Sequence, residues 1–191
     1  VWDQYGNLSD GYWIHFAVIE GVGTVSADSV KSVNGEVTVN YISGPKAGVE
    51  TVKAWYESVE ATLPITVTPA ATAQLDLTPD TVYTQAGETV TLEAIQYDQF
   101  GNHVTETDSS TVTFTLVSGK GTLADPAERK VNEAGNVTIT YKAYSVTADT
   151  ALIKAEYAGV PPDTSVVINS PPGALDHFDI TFDKSSVSVL D

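Results

Sequence analysis

The chain has 191 residues, with 9 Lys+Arg against 25 Asp+Glu and a formal net charge of −16. A field of that sign repels nucleic acid and anionic lipid, so neither is an expected partner. With no cysteine and no methionine, a disulfide framework, a thiol nucleophile and a zinc–thiolate centre are excluded, and stability outside the cell must come from packing alone.

Val1-Trp2 lead into the turn sequence Asp3-Gln4-Tyr5-Gly6-Asn7, after which Trp13-Ile14-His15-Phe16 reads as the first strand. Gly21-Val22-Gly23-Thr24-Val25 and Asn34-Gly35 supply breaks and turns. Residues 36–41, Glu36-Val37-Thr38-Val39-Asn40-Tyr41, alternate apolar with polar side chains, as a half-buried strand does. Beyond the Gly44-Pro45 turn comes Lys53-Ala54-Trp55-Tyr56, then the Pro-containing connection Thr66-Val67-Thr68-Pro69-Ala70-Ala71-Thr72-Ala73. Farther on the spacing predicts strands near 73–77, 82–85, 88–97, 111–117, 121–123, 135–142, 150–157 and 164–168. Val and Thr dominate these runs, which suits a pleated face better than a helix. The expected fold class is all-β, with strands spaced as in an antiparallel sandwich. No apolar run approaches the roughly twenty residues of a membrane helix, so neither direct membrane insertion nor a signal peptide is read here.

The sequence repeats itself. Asp3-Gln4-Tyr5-Gly6-Asn7 returns as Asp98-Gln99-Phe100-Gly101-Asn102, and Gly21-Val22-Gly23-Thr24 as Gly119-Lys120-Gly121-Thr122. Residues 35–41 return as 135–141, and Lys53-Ala54-Trp55-Tyr56 as Lys154-Ala155-Glu156-Tyr157. A period close to a hundred residues is that of a domain. A third, partial copy begins where Phe178-Asp179-Ile180-Thr181 answers Leu75-Asp76-Leu77-Thr78. The expected organisation is a domain over 1–68 that lacks its first strands, a linker over 69–73, and a complete domain over 74–169. A second linker over 170–175 leads to the opening strands of a further domain, or a donor strand, over 176–191.

The order of strand, Asp-Gln-Tyr/Phe-Gly-Asn turn, apolar strand, Gly-x-Gly-Thr, Gly-x-Val-Thr-Val/Ile-x-Tyr and Lys-Ala-x-Tyr resembles the bacterial immunoglobulin-like domains of the invasin and intimin class, related to tandem modules of prokaryotic surface-layer and adhesin proteins. The resemblance covers nearly the whole chain. It implies tandem immunoglobulin-like β-sandwiches used as a stalk or display element outside a prokaryotic cell, and does not fix a ligand.

The repeated turn has a structural reading. Its Gly supplies a positive φ, Asp and Asn bond neighbouring backbone groups, and the aromatic residue plugs the end of the core. The functional alternative is a calcium site at a domain junction, with Asp3 and Asp98 as weak candidate ligands and no fuller set of oxygens apparent. No other cofactor is expected. His15, His103 and His177 lie far apart, the carboxylate pairs Asp76 with Asp80 and Glu106 with Asp108 are ordinary in so acidic a chain, and no nucleophile elbow, phosphate loop or zinc signature occurs. No residue is assigned a catalytic role. Asn7-Leu8-Ser9 and Asn136-Val137-Thr138 are sequons at turns, making Asn7 and Asn136 candidate glycosylation sites.

The short Pro-containing linkers limit how far domains swing and favour a rod. A sandwich without its opening strands exposes a sheet edge and a core groove, and an unpaired edge is a template for another chain. The tail Phe178-Asp179-Ile180-Thr181 with Ser186-Val187-Ser188-Val189-Leu190 offers strands of the missing type, and Phe178, Ile180, Val187 and Val189 are the expected assembly residues when residues 176–190 are given to the incomplete domain of a neighbouring copy. Such a contact joins subunits head to tail. The competing account is a window on a covalent repeat array, in which adjacent repeats take the neighbour's place. The competing function is adhesion to a host or cell-surface glycan, with Trp2 and Trp13, absent from the second repeat, as stacking candidates. Tyr41 with Tyr141 and Tyr56 with Tyr157 recur in both repeats and read as core. So do Ile14, Phe16, Val37, Val39, Leu92, Ala94, Val112, Phe114, Val137 and Ile139, on the parity of the alternation.

Overall fold

A computed structural model describes residues 1–105, 111–125, 127–132 and 134–170. Among them fifteen strands and no helix form. The first group is β1 (Trp13–Glu20), β2 (Thr24–Val25), β3 (Ser29–Lys31), β4 (Tyr41–Ile42), β5 (Gly48–Tyr56) and β6 (Val59–Val67). After residues 68–71 come β7 (Thr72–Thr78), β8 (Thr81–Gln85), β9 (Thr89–Asp98), β10 (Thr111–Ser118), β11 (Thr122–Leu123), β12 (Glu128–Lys130), β13 (Asn136–Lys142), β14 (Asp149–Glu156) and β15 (Asp163–Ser170). β7 starts inside the stretch read as a linker, because Thr72 already pairs with Asp98.

In the second group the two-residue side-chain period decides the core. β9 buries Leu92, Ala94, Gln96 and Asp98, and β13 buries Val137, Ile139 and Tyr141, with outward residues between. Their sheet has the order β11-β13-β9-β7 and faces a sheet of order β12-β10-β14-β15-β8, which contributes Val112, Phe114, Ile153, Ala155 and Val167 to one continuous core. Each fully buried Leu, Ile, Val or Phe stabilises the domain by about 1.5–3 kcal/mol over leaving it in water. All pairs are antiparallel except β15 with β8, which run parallel from Val166↔Thr81 to Ser170↔Gln85.

The first group reproduces this arrangement with strands missing. Its sheet β3-β1-β5-β6 matches β12-β10-β14-β15 and stops where β8 would follow; its two-stranded sheet β2-β4 matches β11-β13 and stops where β9 and β7 would follow. The consequence corrects the expectation for residues 36–41. Only Tyr41–Ile42 enters a ladder, because among the described residues the strand that pairs with the rest of β13, namely β9, has no counterpart here. Ile14 is buried, but Phe16, Val37, Val39 and Tyr41 are only half-buried, whereas Phe114, Val137, Ile139 and Tyr141 are buried.

β12 was not foreseen. Glu128-Arg129-Lys130 has no strand-like pattern, yet pairs with β10 through Thr111↔Lys130, Val112↔Arg129 and Thr113↔Glu128, because a strand edge offers backbone bonds to any non-proline neighbour.

Candidate functional site

Where no described strand takes the places of β7, β8 and β9, an open apolar groove crosses the first group. One hollow of about 520 Å³ is lined by Trp2, Tyr12, Ile14, Phe16, Val37 and Ala54 among others. A second of about 350 Å³ continues it through Val39, Tyr41, Val52, Leu63 and Ile65, and the two share Phe16, Val37, Ala54 and Ala61. Leu63 stays 63% exposed, although Ser165, its counterpart across the matching ladder position, is fully covered. The groove is bounded by residues 36–42 on one side and by the outer edge of β6 on the other. In the complete group these positions carry the antiparallel ladder from Asn136↔Ile95 to Lys142↔Thr89 and the parallel ladder from β15 to β8. An apolar floor between two backbone edges that pair with no described strand can accept extended polypeptide, donating and accepting backbone hydrogen bonds while its alternate side chains fill the floor.

One end of the groove is held by a polar knot that the sequence reading missed. Glu50 lies on the inward parity of β5 and is buried, its carboxylate accepting from Val22 N at 3.1 Å, Gly23 N at 2.9 Å and the Tyr41 hydroxyl at 2.5 Å. The Tyr41 bond, then the Val22 bond, hold the Glu50 carboxyl below its ordinary range, while the same contact pushes the Tyr41 hydroxyl up to about 12. In the second group Ala151 replaces Glu50, and the Tyr141 hydroxyl accepts directly from Gly121 N at 3.1 Å. A Cβ at Gly121 would lie 2.1 Å from that hydroxyl oxygen, so the Gly-x-Gly-Thr motif is fixed by the tyrosine beneath it.

The two Asp-Gln-x-Gly-Asn turns have the same internal bonding. Asp3 Oδ1 accepts from Tyr5 N and Asn7 N, each at 2.9 Å; Asp98 Oδ1 accepts from Phe100 N at 2.8 Å and Asn102 N at 2.9 Å. Gly6 and Gly101 both sit at φ +80. The aromatic residue does not plug the core as expected: Tyr5 is 80% and Phe100 56% exposed, because the Asp-anchored loop projects the ring away from the sheets. What differs between the turns is their surroundings. Asn102 Nδ2 donates to Pro45 O at 2.7 Å and its Oδ1 accepts from Ala47 N at 2.9 Å, while Asp98 Oδ2 accepts from Ala70 N at 2.9 Å. The second turn thus clamps the first group's 45–47 loop and the connecting segment. For Asp98, burial raises the pKa, but the bonds from Asn102, Ala70 and Phe100 outweigh it and lower the group to about 2. Asp3 is likewise lowered, chiefly by the Asn7 side chain.

Asp3 thus spends its carboxylate on its own turn and Asp98 on its own turn and Ala70, and among the described residues no group of three His, Cys, Asp or Glu side chains is placed to hold a metal ion. Asn7 is exposed and its amide donates to both Asp3 oxygens; Asn136, at the head of β13, donates to Glu93 across the sheet. His15 stacks on Trp55 at 5.4 Å and His103 lies 5.8 Å from Tyr97. Asp76 is raised by burial, then by Asp163 and Asp80. Trp2 is 71% and Trp13 55% exposed, but only Trp2 lines the groove. Phe178, Ile180, Val187, Val189, His177, Glu106 and Asp108 lie outside the described residues.

Neither a protein-family model nor a curated protein matches the sequence. Among solved structures, the Escherichia coli adhesin FdeC is similar over 88% of this chain and 56% of its own, at 16% identity and a TM-score of 0.56. The chain thus spans about half the length of that structure. The D00-D0 domain of intimin is similar over 84% of this chain and 87% of its own, at 17% identity and a TM-score of 0.46. Domains 4 and 5 of the S-layer protein SbsC are similar over 89% and 78%, at 19% identity and a TM-score of 0.41. The likeness to FdeC, with the two-sheet topology, identifies the fold as an immunoglobulin-like β-sandwich.

Proposed function

We propose that the protein is a structural, non-catalytic element of a prokaryotic cell surface, in which tandem immunoglobulin-like repeats build a stalk or extracellular filament and neighbouring copies are joined by strand exchange. The open groove of the first group carries the reading. A strand laid parallel along the outer edge of β6 would restore the position that β8 holds beside β15, and residues 176–190 of a neighbouring copy offer two short alternating segments, one carrying Phe178 and Ile180 and the other Val187 and Val189. An acidic chain resists non-specific adhesion, and its copies associate more readily as salt screens their mutual repulsion.

The test is removal of residues 171–191. The full chain, examined by electron microscopy and light scattering, forms filaments that dissociate to single chains in hot denaturant, and the shortened chain stays monomeric. Filaments from the shortened chain would sink the proposal, and a covalent array would show as a much longer denatured chain from the native source. The exposed Trp2 at the groove mouth favours one competing reading, binding of a surface glycan by stacking. Glycan-array binding that is lost in a Trp2→Ala, Trp13→Ala chain would establish it.

A further inference from the structure

The second turn shows what this motif does when a domain precedes it: Asn102 reads one backbone carbonyl and one backbone N–H, Pro45 O and Ala47 N, on the neighbour's loop. The first turn is built the same way, with the same Asp-held Asn, and presents it to solvent. The ladders identify its complement. Phe16↔Ala54 and Phe114↔Ala155 equate Ala54 with Ala155, and stepping back along β5 and β14 equates Gly48 with Asp149, so the 45–47 loop just ahead of β5 corresponds to residues 146–148 just ahead of β14. Residues 145–148 are exposed, Val146 at 62%. Their shape is set from beneath, because the buried Asn169 donates to Tyr144 O at 2.9 Å and to Thr147 O at 3.2 Å. A pre-formed head and a pre-formed seat therefore stand on the same chain.

We propose that the 3–7 turn docks onto the 146–148 loop of a second copy, Asn7 taking Val146 O and Ala148 N, and that this neutral amide latch sets the angle between successive subunits. The inference rests on the strand-exchange reading, since a donated tail carries the donor's second group to the place that the 45–47 loop occupies before the second turn. The latch needs no charge of either sign at the contact, which suits a homotypic join between acidic chains. It also competes with modification: a glycan on Asn7 would take the nitrogen that the latch uses.

The absence of native cysteine makes the test clean. Full-length Q4C and A148C chains, which keep Asn7, are mixed, oxidised and run on a non-reducing gel, with Q4C and Y83C as the control pair. The expected result is at least about tenfold more heterodimer than the control, as a local concentration set by docking exceeds the bulk one. The product is expected to be lost when residues 171–191 are removed. Cross-linking no better than the control in chains that still assemble overturns the latch and leaves strand exchange standing. Chains that neither cross-link nor assemble overturn both, and full occupancy of Asn7 by glycan in native material overturns the latch alone.

Discussion

Truncating the equivalent aromatic position in the two repeats, Phe16→Ala and Phe114→Ala, separates an open core from a closed one. Phe114 is 2% exposed among Val112, Ile139, Tyr141 and Ile153, so its loss combines transfer and cavity terms at about 3–5 kcal/mol. Phe16 occupies the matching place beside Ala54 but is half-buried on the groove floor. Only part of a full burial term of about 1.5–3 kcal/mol is at stake there, and the cavity already opens to solvent, so the expected cost in the unassembled chain is about 1 kcal/mol. The three tryptophans, Trp2, Trp13 and Trp55, all lie in the first repeat. Their fluorescence in a urea titration thus reports that repeat, while far-ultraviolet circular dichroism reports both. If Phe16→Ala costs as much as Phe114→Ala in monomeric chains, the groove is closed and the acceptor argument fails. In assembled chains the reasoning requires the opposite: the cost of Phe16→Ala rises toward that of Phe114→Ala, and the emission of Trp2 moves to shorter wavelength.

Asn102→Ala removes the bonds to Pro45 and Ala47, so it should lower stability by about 1–3 kcal/mol in denaturant titration and widen the interdomain angle distribution in small-angle scattering, while Asn7→Ala in monomeric chains does neither. Equal effects would show that the clamp is not interdomain. Asp98, lowered to about 2 against an unfolded value near 3.9, stabilises the fold above pH about 4 and loses that contribution as pH falls toward 2. Carboxyl titration by nuclear magnetic resonance checks this, and an Asp98 resonance titrating near 4 refutes it. Asp76 is shifted the other way, by burial and then by Asp163 and Asp80, so its ionised form costs stability above its folded pKa. Asp76→Asn should therefore raise the thermal midpoint at neutral pH, with the gain vanishing as pH falls below the unfolded value; a gain independent of pH would show that charge is not the cause.

The all-β class was legible because the two-residue alternation is a local property, carried by runs such as residues 89–94 and 135–141 whatever their neighbours do. Strand formation is not local, and that is where reading ran out. Residues 36–41 have the same pattern as their counterpart in β13 but mostly stay outside a ladder, since no described strand arrives beside them. Glu128-Arg129-Lys130 has no pattern and yet pairs, because β10 offers it an edge. At the site, the Asp of the turn was read correctly as holding neighbouring backbone, whereas the Asn bonds the Asp carboxylate instead and the aromatic between them was misplaced. The reach of Asn102 to Pro45 leaves no trace in spacing, as it spans two domains. Glu50 had a signal that went unused: a carboxylate on the inward parity of a strand must find donors or cost stability.

The parallel pairing of β8 with β15 sets how such a domain would respond to force. The chain enters near the start of β7 and β8 and leaves from the end of β15, so a pull on its two ends drives β8 and β15 past one another along their common axis. Their paired positions, from Thr81↔Val166 to Gln85↔Ser170, are then strained together and must break together, which resists tension far better than hydrogen bonds peeled one at a time. In the first repeat no described strand lies beside the corresponding edge of β6. In a filament joined as proposed, tensile strength would be decided at the donated strand, and a shorter or mismatched one would set the force at which the filament parts.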